Sequence, residues 1–155
     1  MARLVFGERI GKQGKLIVGC SAVIFDPPRQ KILLTRRSDN GRWCLPGGQM
    51  ESGESVTEAC EREVREETGL QVRVVRLLGV YSDPHRLVEY ADGNRYHVVS
   101  LNFEAEPIGG TITICNETIA SGYFARDEIG GMDVMEHLLE RIEDAFARQE
   151  EAFVR

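Results

Sequence analysis

The sequence lacks the features that mark membrane, secreted and zinc-binding proteins. No apolar run approaches the roughly 20 residues that cross a membrane. The opening MARLVFGERIGKQGK has neither the long apolar segment nor the cleavage site of a signal peptide. No C-x-x-C pair occurs, because the four cysteines are widely spaced: Cys20, Cys44, Cys60 and Cys115. We therefore expect a cytoplasmic protein with free thiols.

The chain also lacks an excess of positive charge. Its 19 lysines and arginines are outnumbered by 25 acidic residues, which gives a net charge of -6 at pH 7. This balance argues against unspecific binding to nucleic acid, which requires basic side chains against phosphates. A small anionic ligand stays open, since a bound metal supplies positive charge.

What is present predicts one globular domain over 1–155, with 42% hydrophobic and 28% charged residues. KLIVGCSAVIFD is predicted to be a long strand, and KILLTRR its hairpin partner. Because side chains alternate along a strand, Arg36 is the arginine that shares a face with Ile32 and Leu34.

Helices and strands alternate along the rest of the chain. SDNGRWCLPGGQMESGE is predicted to be a structured loop, and Ser55 opens a helix with a capping-box pattern that stops at Gly69. Strands are predicted at LQVRVVRLLGVYSD, RYHVVSLNFEAEP and GTITIC, and SGYFARDEI is expected to end in a turn. A last helix runs from Met132 to about Arg148, with Leu139 on its apolar face. This order predicts an α/β or α+β fold, with helices covering a mixed sheet.

Two carboxylates lie in the apolar stripe of the predicted helix 55–69. With 3.6 residues per turn, Glu63 and Glu67 fall in the core-facing sector and Glu66 lies at its edge. The apolar residues of that sector are Val56, Ala59, Cys60 and Val64. Partly burying carboxylates is expensive unless they are paired or bind a metal. The cluster therefore predicts a site for a hard divalent cation such as Mg²⁺ or Mn²⁺.

Two plainer explanations stand beside a metal. A solvated acidic face explains Glu58 and Glu61, which point away to water, but explains Glu63 and Glu67 poorly. Neutralisation by Arg62 is the second explanation, and we expect Arg62 to orient a neighbouring glutamate in either case. The preceding LPGGQMESGE allows backbone to approach a ligand closely, so one of its carbonyls is able to complete a metal's coordination.

The stretch GQMESGESVTEACEREVREETGL, residues 48–70, resembles a complete Nudix box. The matching residues are Gly48, Glu54, Arg62, Glu63, Val64, Glu66, Glu67, Gly69 and Leu70. The resemblance implies a Nudix-type α/β/α sandwich, with a mixed β-sheet between helices and the box as loop–helix–loop. It also implies metal-dependent hydrolysis, with Mg²⁺ or Mn²⁺, of a pyrophosphate bond in a nucleoside diphosphate linked to another group X.

The resemblance also implies roles for individual residues. Glu54 and Arg62 would brace the loop that begins at Gly48, with Arg62 orienting Glu63 as well. The metal ligands would be Glu63, Glu66, Glu67 and the carbonyl of Gly47.

Two questions about the chemistry stay open. The general base would be Glu63 on the helix or Glu117 in ICNETIASGYF, where some family members place a loop glutamate. For Glu117, an exposed loop acid without a role is the alternative. Arg36 or Arg37 is expected to hold a terminal phosphate, unless this strand end is simply solvated.

Residues outside the box determine which group X the protein recognises. LLTRRS followed by LPGG resembles the start of the coenzyme A subfamily motif, but the spacer is too short. Pro84 lies near the proline of the ADP-ribose subfamily, and Tyr90 comes too late for the dinucleoside polyphosphate enzymes. We expect nucleoside diphosphate sugars such as ADP-ribose first, (d)NTPs second, as in pool-cleaning enzymes, and capped RNA third because the chain is acidic.

Two non-enzymatic alternatives belong to other classes. A Nudix-like sensor would bind a nucleotide sugar without cleaving it, although such relatives usually lose box glutamates. An interaction module would use the apolar stripe of HLLERIEDAFARQEEAF at a homodimer interface, whereas packing of this helix on its own sheet is the simpler expectation.

Overall fold

A computed structural model describes residues 2–155. Met1, the first residue of the predicted domain, lies outside the described residues. The strands in chain order are β1 (Arg3–Phe6), β2 (Lys15–Val23), β3 (Lys31–Arg37), β4 (Trp43–Cys44), β5 (Gly47–Gln49), β6 (Leu70–Tyr81), β7 (Arg86–Glu89), β8 (Arg95–Gly110), β9 (Thr118–Ala125) and β10 (Phe153–Val154). The helices are α1 (Val56–Thr68), α2 (Arg126–Ile129) and α3 (Glu136–Phe146), with a 3₁₀ turn at Ile10–Gln13.

The larger sheet is mixed and is organised around β8. One edge of β8 pairs in parallel with β2, and its other edge pairs antiparallel with β6 and β7. β5 continues the sheet beyond β2, β1 continues it beyond β7, and β10 lies parallel to β6. The smaller sheet is antiparallel, in the order β4-β3-β9.

The two sheets lie between α1 and α3. One core cluster joins α1 to the larger sheet through Ala59, Cys60, Val64, Ala22, Phe103 and Ala105. The other joins α3 to the smaller sheet through Leu138, Ile142, Ala145, Ile32 and Leu34. β3 contributes to both, because its next residue, Leu33, points to the α1 cluster. This arrangement confirms the predicted α/β/α sandwich. No helix in the described part of the chain is long and apolar enough to span a bilayer.

The predicted helix 55–69 is confirmed together with both of its ends. The backbone N–H of Glu58 donates to Ser55 Oγ at 3.2 Å, and the N–H of Ser55 donates to the Glu58 carboxylate at 2.7 Å. Gly69 ends the helix in the left-handed conformation, with φ 78°. The caps place the next turns of the helix, and hence its glutamates, in a fixed register.

The predicted hairpin between the first long strand and KILLTRR was wrong. Only its turn forms: the N–H of Leu33 donates to Ile24 O at 2.9 Å, and Phe25 bridges to Ile32. β2 and β3 then enter different sheets. The reason lies in the glycine-rich segment, which was predicted to be a loop but forms β4 and β5; β5 takes the edge of β2.

Three other boundaries also differ from prediction. GTITIC is not a strand beyond Gly110, because the N–H of Thr113 bonds to Thr68 O at the end of α1 (2.8 Å). SGYFARDEI ends in the short helix α2 rather than in a turn. The last helix begins at Glu136 instead of Met132, and Leu139 is 41% exposed rather than on the apolar face.

Candidate active site

Arg62 lies at the centre of a network of acids. Its Nη1 donates to Glu63 Oε1 at 2.9 Å and to Glu66 Oε2 at 3.2 Å. Its Nε and Nη2 both donate to the carboxylate of Glu54, the second at 3.1 Å, and Nη2 also donates to the carbonyl of Gln49 at 3.1 Å. One guanidinium therefore ties α1 to the loop in front of it.

The pKa values of two carboxylates in this network are shifted in opposite directions. The hydrogen bond from Arg62 keeps the pKa of Glu54 below its ordinary value. Burial raises the pKa of Glu63, the hydrogen bond from Arg62 opposes that rise, and the charges of Glu66 and Glu117 add to it. Glu63 is thus a largely buried carboxylate whose side-chain orientation is set by an arginine.

Glu67 is buried, and Arg37 acts on it only through its charge, without a salt bridge in residues 2–155. Only 9% of the residue is exposed, and within residues 2–155 no Lys, Arg or His forms a salt bridge with it. Its carboxylate accepts one hydrogen bond, from the N–H of Gly47 at 2.9 Å. Burial raises the pKa of Glu67 to about 7, and the nearby charge of Glu63 adds to the rise. Glu61, which was expected to face water, instead accepts the N–H of Val74 at 3.1 Å.

The glycines of β5 allow the acids to pack directly against the strand. A Cβ on Gly48 would lie 2.5 Å from Glu63 Cδ, and one on Gly47 would lie 2.3 Å from Cys20 O. Real side chains do not make such contacts. Glycine at both positions therefore lets β5 fit between β2 and the glutamates of α1.

The carboxylates suit a hard divalent cation in their chemistry, although they do not form a ready cage. Within residues 2–155, no three His, Cys, Asp or Glu side chains are grouped as a metal site. Glu63 and Glu66 are directed at Arg62 instead. A cation would neutralise Glu67, and oxygen ligands from carboxylates are those that Mg²⁺ and Mn²⁺ prefer. The donor set therefore fits such an ion.

The predicted loop glutamate comes near this cluster. Glu117 is exposed, and its backbone carbonyl accepts the N–H of Ser38 at 2.9 Å. Its charge contributes to the raised pKa of both Glu63 and Glu67. The charge of Glu117 thus acts on two acids of α1, although its side chain forms no hydrogen bond with them in residues 2–155.

The two predicted phosphate-binding arginines differ in their surroundings. Arg36 is exposed, and its Nε donates to Gly41 O at 2.7 Å, so it braces the β3–β4 loop. Arg37 lines a pocket of about 250 Å³, where its guanidinium is paired with Asp39 at 2.8 and 2.7 Å.

The pocket adjoins the acidic network across β5. Gly47 and Gly48 form part of its wall, and Arg37, Tyr90, His137 and Arg141 line other parts. His137 and Arg141, which α3 directs inward, were not among the predicted site residues. One signal was available: these residues are spaced i, i+4 beside the apolar face of α3, as Glu63 and Glu67 are on α1.

The fold and this network define a protein class: an α/β/α sandwich in which a capped helix packs its carboxylates on a glycine strand beside a pocket. The chain belongs to the Nudix family, since the family model described as NUDIX domain matches residues 15–147.

Named relatives agree with this membership. The chain is 43% identical over 97 residues to an ADP-ribose pyrophosphatase of Methanocaldococcus jannaschii, covering 61% of this chain and 54% of that protein. It is 30% identical over 99 residues to a nucleoside triphosphatase of an Enterobacter species, covering 62% and 70% respectively. The chain thus spans little more than half the length of the first relative.

A solved structure extends the similarity to most of the fold. The crystal structure of an ADP-ribose pyrophosphatase from Streptococcus suis superposes with a TM-score of 0.70 at 26% identity. The superposition covers 90% of this chain and 98% of that one.

Proposed function

We propose that this protein hydrolyses the pyrophosphate bond of a nucleoside diphosphate linked to another group X, in the cytoplasm, with a divalent cation. Nucleoside diphosphate sugars such as ADP-ribose are the first substrate class. The observation that carries the proposal is Glu67, a buried carboxylate without a salt bridge in residues 2–155, one turn from Glu63. The names of the archaeal relative and of the Streptococcus suis structure support the substrate class.

The metal would be held by the carboxylates of α1 and by backbone. Glu63, Glu66, Glu67 and the carbonyl of Gly47 are the proposed ligands of Mg²⁺ or Mn²⁺. When bound, the ion would polarise the phosphoryl oxygens and lower the pKa of water. The side chains of the cluster would position that water and the diphosphate.

Glu63 is the proposed general base. Its carboxylate would accept the proton of the attacking water while the water oxygen bonds to phosphorus and the bridging P–O bond breaks. Arg62 would orient Glu63 through the 2.9 Å hydrogen bond and, through Glu54, keep the loop of Gly48 in register. The bridging oxygen leaves with the other phosphate. Glu117 is the alternative base, reaching the water from its loop.

Substrate groups would occupy the pocket beside β5. Tyr90, whose ring stands edge-on to that of Tyr96 with centroids 5.6 Å apart, offers an aromatic surface at the pocket. Arg37 is proposed to contact phosphate, held in place by Asp39. Arg36 stays a weaker proposal because it does not line the pocket.

A second candidate is (d)NTP hydrolysis. The name of the Enterobacter relative supports it, and so do the cationic residues Arg37 and Arg141 on the pocket wall, which suit an additional phosphate. A sensor without activity is disfavoured, because every acid of the box is present. A homodimer through α3 is also disfavoured, since Leu138 and Ile142 are buried in the protein's own core.

A substrate panel tests the proposal. Purified protein is incubated with ADP-ribose, other nucleoside diphosphate sugars and the dNTPs, with Mg²⁺, with Mn²⁺ or with EDTA, and the products are identified by chromatography. We expect AMP and ribose 5-phosphate from ADP-ribose, no products with EDTA, and recovery on adding metal. Glu63→Gln, prepared in parallel, controls for contaminating phosphatases. Full hydrolysis in metal-free buffer, or no product from any substrate, would contradict the proposal.

A further inference from the structure

Arg141 is buried in the sandwich without a partner of opposite charge. It is 6% exposed, and its Nε is among the buried nitrogens that have no hydrogen-bond partner in residues 2–155. Its guanidinium lies 5.2 Å from the centre of the Tyr81 ring. A cation–π contact at this distance offsets only part of the cost of removing a guanidinium from water. The position of Arg141 is therefore costly in the protein without ligand.

Asp144, three residues further along the same helix, is already occupied. Asp144 accepts the hydroxyl of Tyr81 at 2.8 Å and both Nε and Nη2 of Arg155 at 2.9 and 3.0 Å. Arg86 adds a like charge, and the charges of Tyr81 and Glu140 oppose its effect. Burial, with the charge of Arg86 second, lowers the pKa of Arg141 to about 10, so the group is still protonated at neutral pH.

His137 adds a second unused group one turn earlier on α3. Its Nδ1 is buried without a hydrogen-bond partner among the described residues. Burial, followed by the charges of Arg141 and Arg86, lowers the pKa of His137 to about 3. The ring is therefore neutral at pH 7 and retains an N–H donor. The local charge of this corner of the pocket stays positive.

Both groups line the pocket that reaches the acidic network. Arg141 and His137 form part of its wall on α3, while Gly47 and Gly48 form part of its wall on β5. An anion that entered this pocket would meet a buried guanidinium whose Nε has no partner in residues 2–155, with a neutral imidazole beside it. Planar guanidinium donors match the oxygens of a phosphate.

We propose that Arg141 and His137 form an anion subsite that binds a phosphate group of the substrate in the pocket, outside the glutamate cluster. This inference rests on the proposed function for the identity of the substrate, but not for the binding of the anion. The subsite would hold a phosphate of the diphosphate in a nucleoside diphosphate sugar and the additional phosphate in a nucleoside triphosphate.

Phosphate binding in the absence of metal tests the subsite without any hydrolysis. The melting temperature is measured in EDTA as inorganic phosphate replaces sodium chloride at constant ionic strength. We compare the wild type with Arg141→Met, which keeps length and removes charge, and with Arg141→Lys, which keeps charge. Arg73→Met is the matched control, because Arg73 is an exposed arginine of β6 paired with Glu106.

The expected results follow from the unpaired charge. Phosphate raises the melting temperature of the wild type and of Arg73→Met, whereas Arg141→Met binds it about tenfold or more weakly. Arg141→Lys retains part of the effect. Without phosphate, Arg141→Met melts at the same or a higher temperature than wild type, because an unpaired buried charge is gone.

Three outcomes would overturn the subsite. The first is that phosphate does not raise the melting temperature of the wild type, and the second is that it raises that of Arg141→Met just as much. The third is that Arg141→Lys and Arg141→Met lose the phosphate effect equally and both melt at a lower temperature than the wild type. The last result would make Arg141 a structural anchor of Tyr81. Kinetics separate this inference from the proposed function: Arg141→Met should raise KM more than it lowers kcat. An inactive wild type that binds phosphate through Arg141 would remove the proposed function and leave the subsite.

Discussion

α1 and α3 both bring charged side chains to the buried side of the sandwich, but they differ in how those charges are paired. On α1, Arg62 is hydrogen bonded to several carboxylates, among them Glu54 and Glu63. On α3, Arg141 is nearly buried and its Nε has no partner in residues 2–155. A paired charge fixes the orientation of its partner side chains. An unpaired buried charge destabilises the protein without ligand and indicates where a ligand of opposite charge binds. By this reasoning Glu67, unpaired on α1, corresponds to Arg141.

The largest effect is expected at the paired acid of α1. Glu63→Gln should lower kcat by several orders of magnitude, because a lost base alone costs about 10²–10⁴-fold and a lost metal ligand adds to it. Glu117→Gln should lose much less, since Glu117 is exposed on a loop. The measurement is kcat of both variants at saturating Mg²⁺, with folding checked by circular dichroism. If Glu117→Gln is the more damaged variant, the base lies on the loop.

The next effect concerns the space that the paired acid occupies. Gly48→Ala would place a Cβ within 2.5 Å of Glu63 Cδ and displace that carboxylate. We expect kcat to fall by about 10²-fold, as for other small misplacements of reacting groups. The control is Gly53→Ala in the same loop, where a Cβ meets nothing within 4 Å. Because Gly53 has φ 93°, this control is strained but does not touch the site. Equal activity of Gly48→Ala and wild type would show that the position of Glu63 is not critical.

Removal of the pairing cation should give a smaller and mixed effect. Arg62→Ala leaves Glu63 and Glu54 without their hydrogen bonds, so we expect lower turnover and a loss of about 1–3 kcal/mol in the free energy of unfolding, below the cost of breaking a fully buried pair. Steady-state kinetics and urea denaturation measure the two effects. Arg65→Ala, an exposed arginine of the same helix, is the control. Unchanged kinetics and stability would make Arg62 a surface charge.

An effect of the opposite sign, on stability and not on turnover, is expected at Glu67, the acid without a salt bridge in residues 2–155. The pKa of Glu67 rises from 4.5 to about 7 on folding, so its ionisation destabilises the metal-free protein as the pH rises through this window. Glu67→Gln in EDTA should therefore be more stable than wild type at pH 8, by at most about 3 kcal/mol. The difference should shrink at pH 5, where Glu67 is protonated. Melting curves at both pH values test this, and a less stable variant at pH 8 would contradict it.

The parts of the fold that local chemistry determines were predictable. Ser55, Gly69 and the helical period located α1 to within a residue, and the strand-like composition of LQVRVVRLLGVYSD and RYHVVSLNFEAEP located β6 and β8. Pairing across long separations was not predictable: β2 and β3 are adjacent in sequence, yet β5 takes the edge of β2. GTITIC has a strand pattern, but its backbone bonds to the end of α1 instead. Such competition between partners is decided by tertiary contacts.

The candidate site was likewise predictable from the sequence only in part. The acids of α1 were predicted because polar residues interrupt an apolar stripe within a recognisable motif. His137 and Arg141 also lie inward on a helix, but the helix was analysed only for its apolar face, and no motif covers it. Asp144, three residues from Arg141 on α3, is paired with Arg155 from the C-terminal segment. That pairing is visible only in three dimensions.

The most direct measurement is the binding of Mn²⁺ to the folded protein, followed by the loss of the free-ion signal in electron paramagnetic resonance. The central claim is that the α1 acids, with Glu67 unpaired at their centre, hold a divalent cation. The wild type and Glu58→Gln, which keeps its capping role on the same helix, should bind Mn²⁺. Glu67→Gln should bind Mn²⁺ at least about 10–100-fold more weakly, which is the typical effect of mutating a residue that only supports a metal ligand. Equal binding by Glu67→Gln and wild type, or no binding by wild type, would contradict the account.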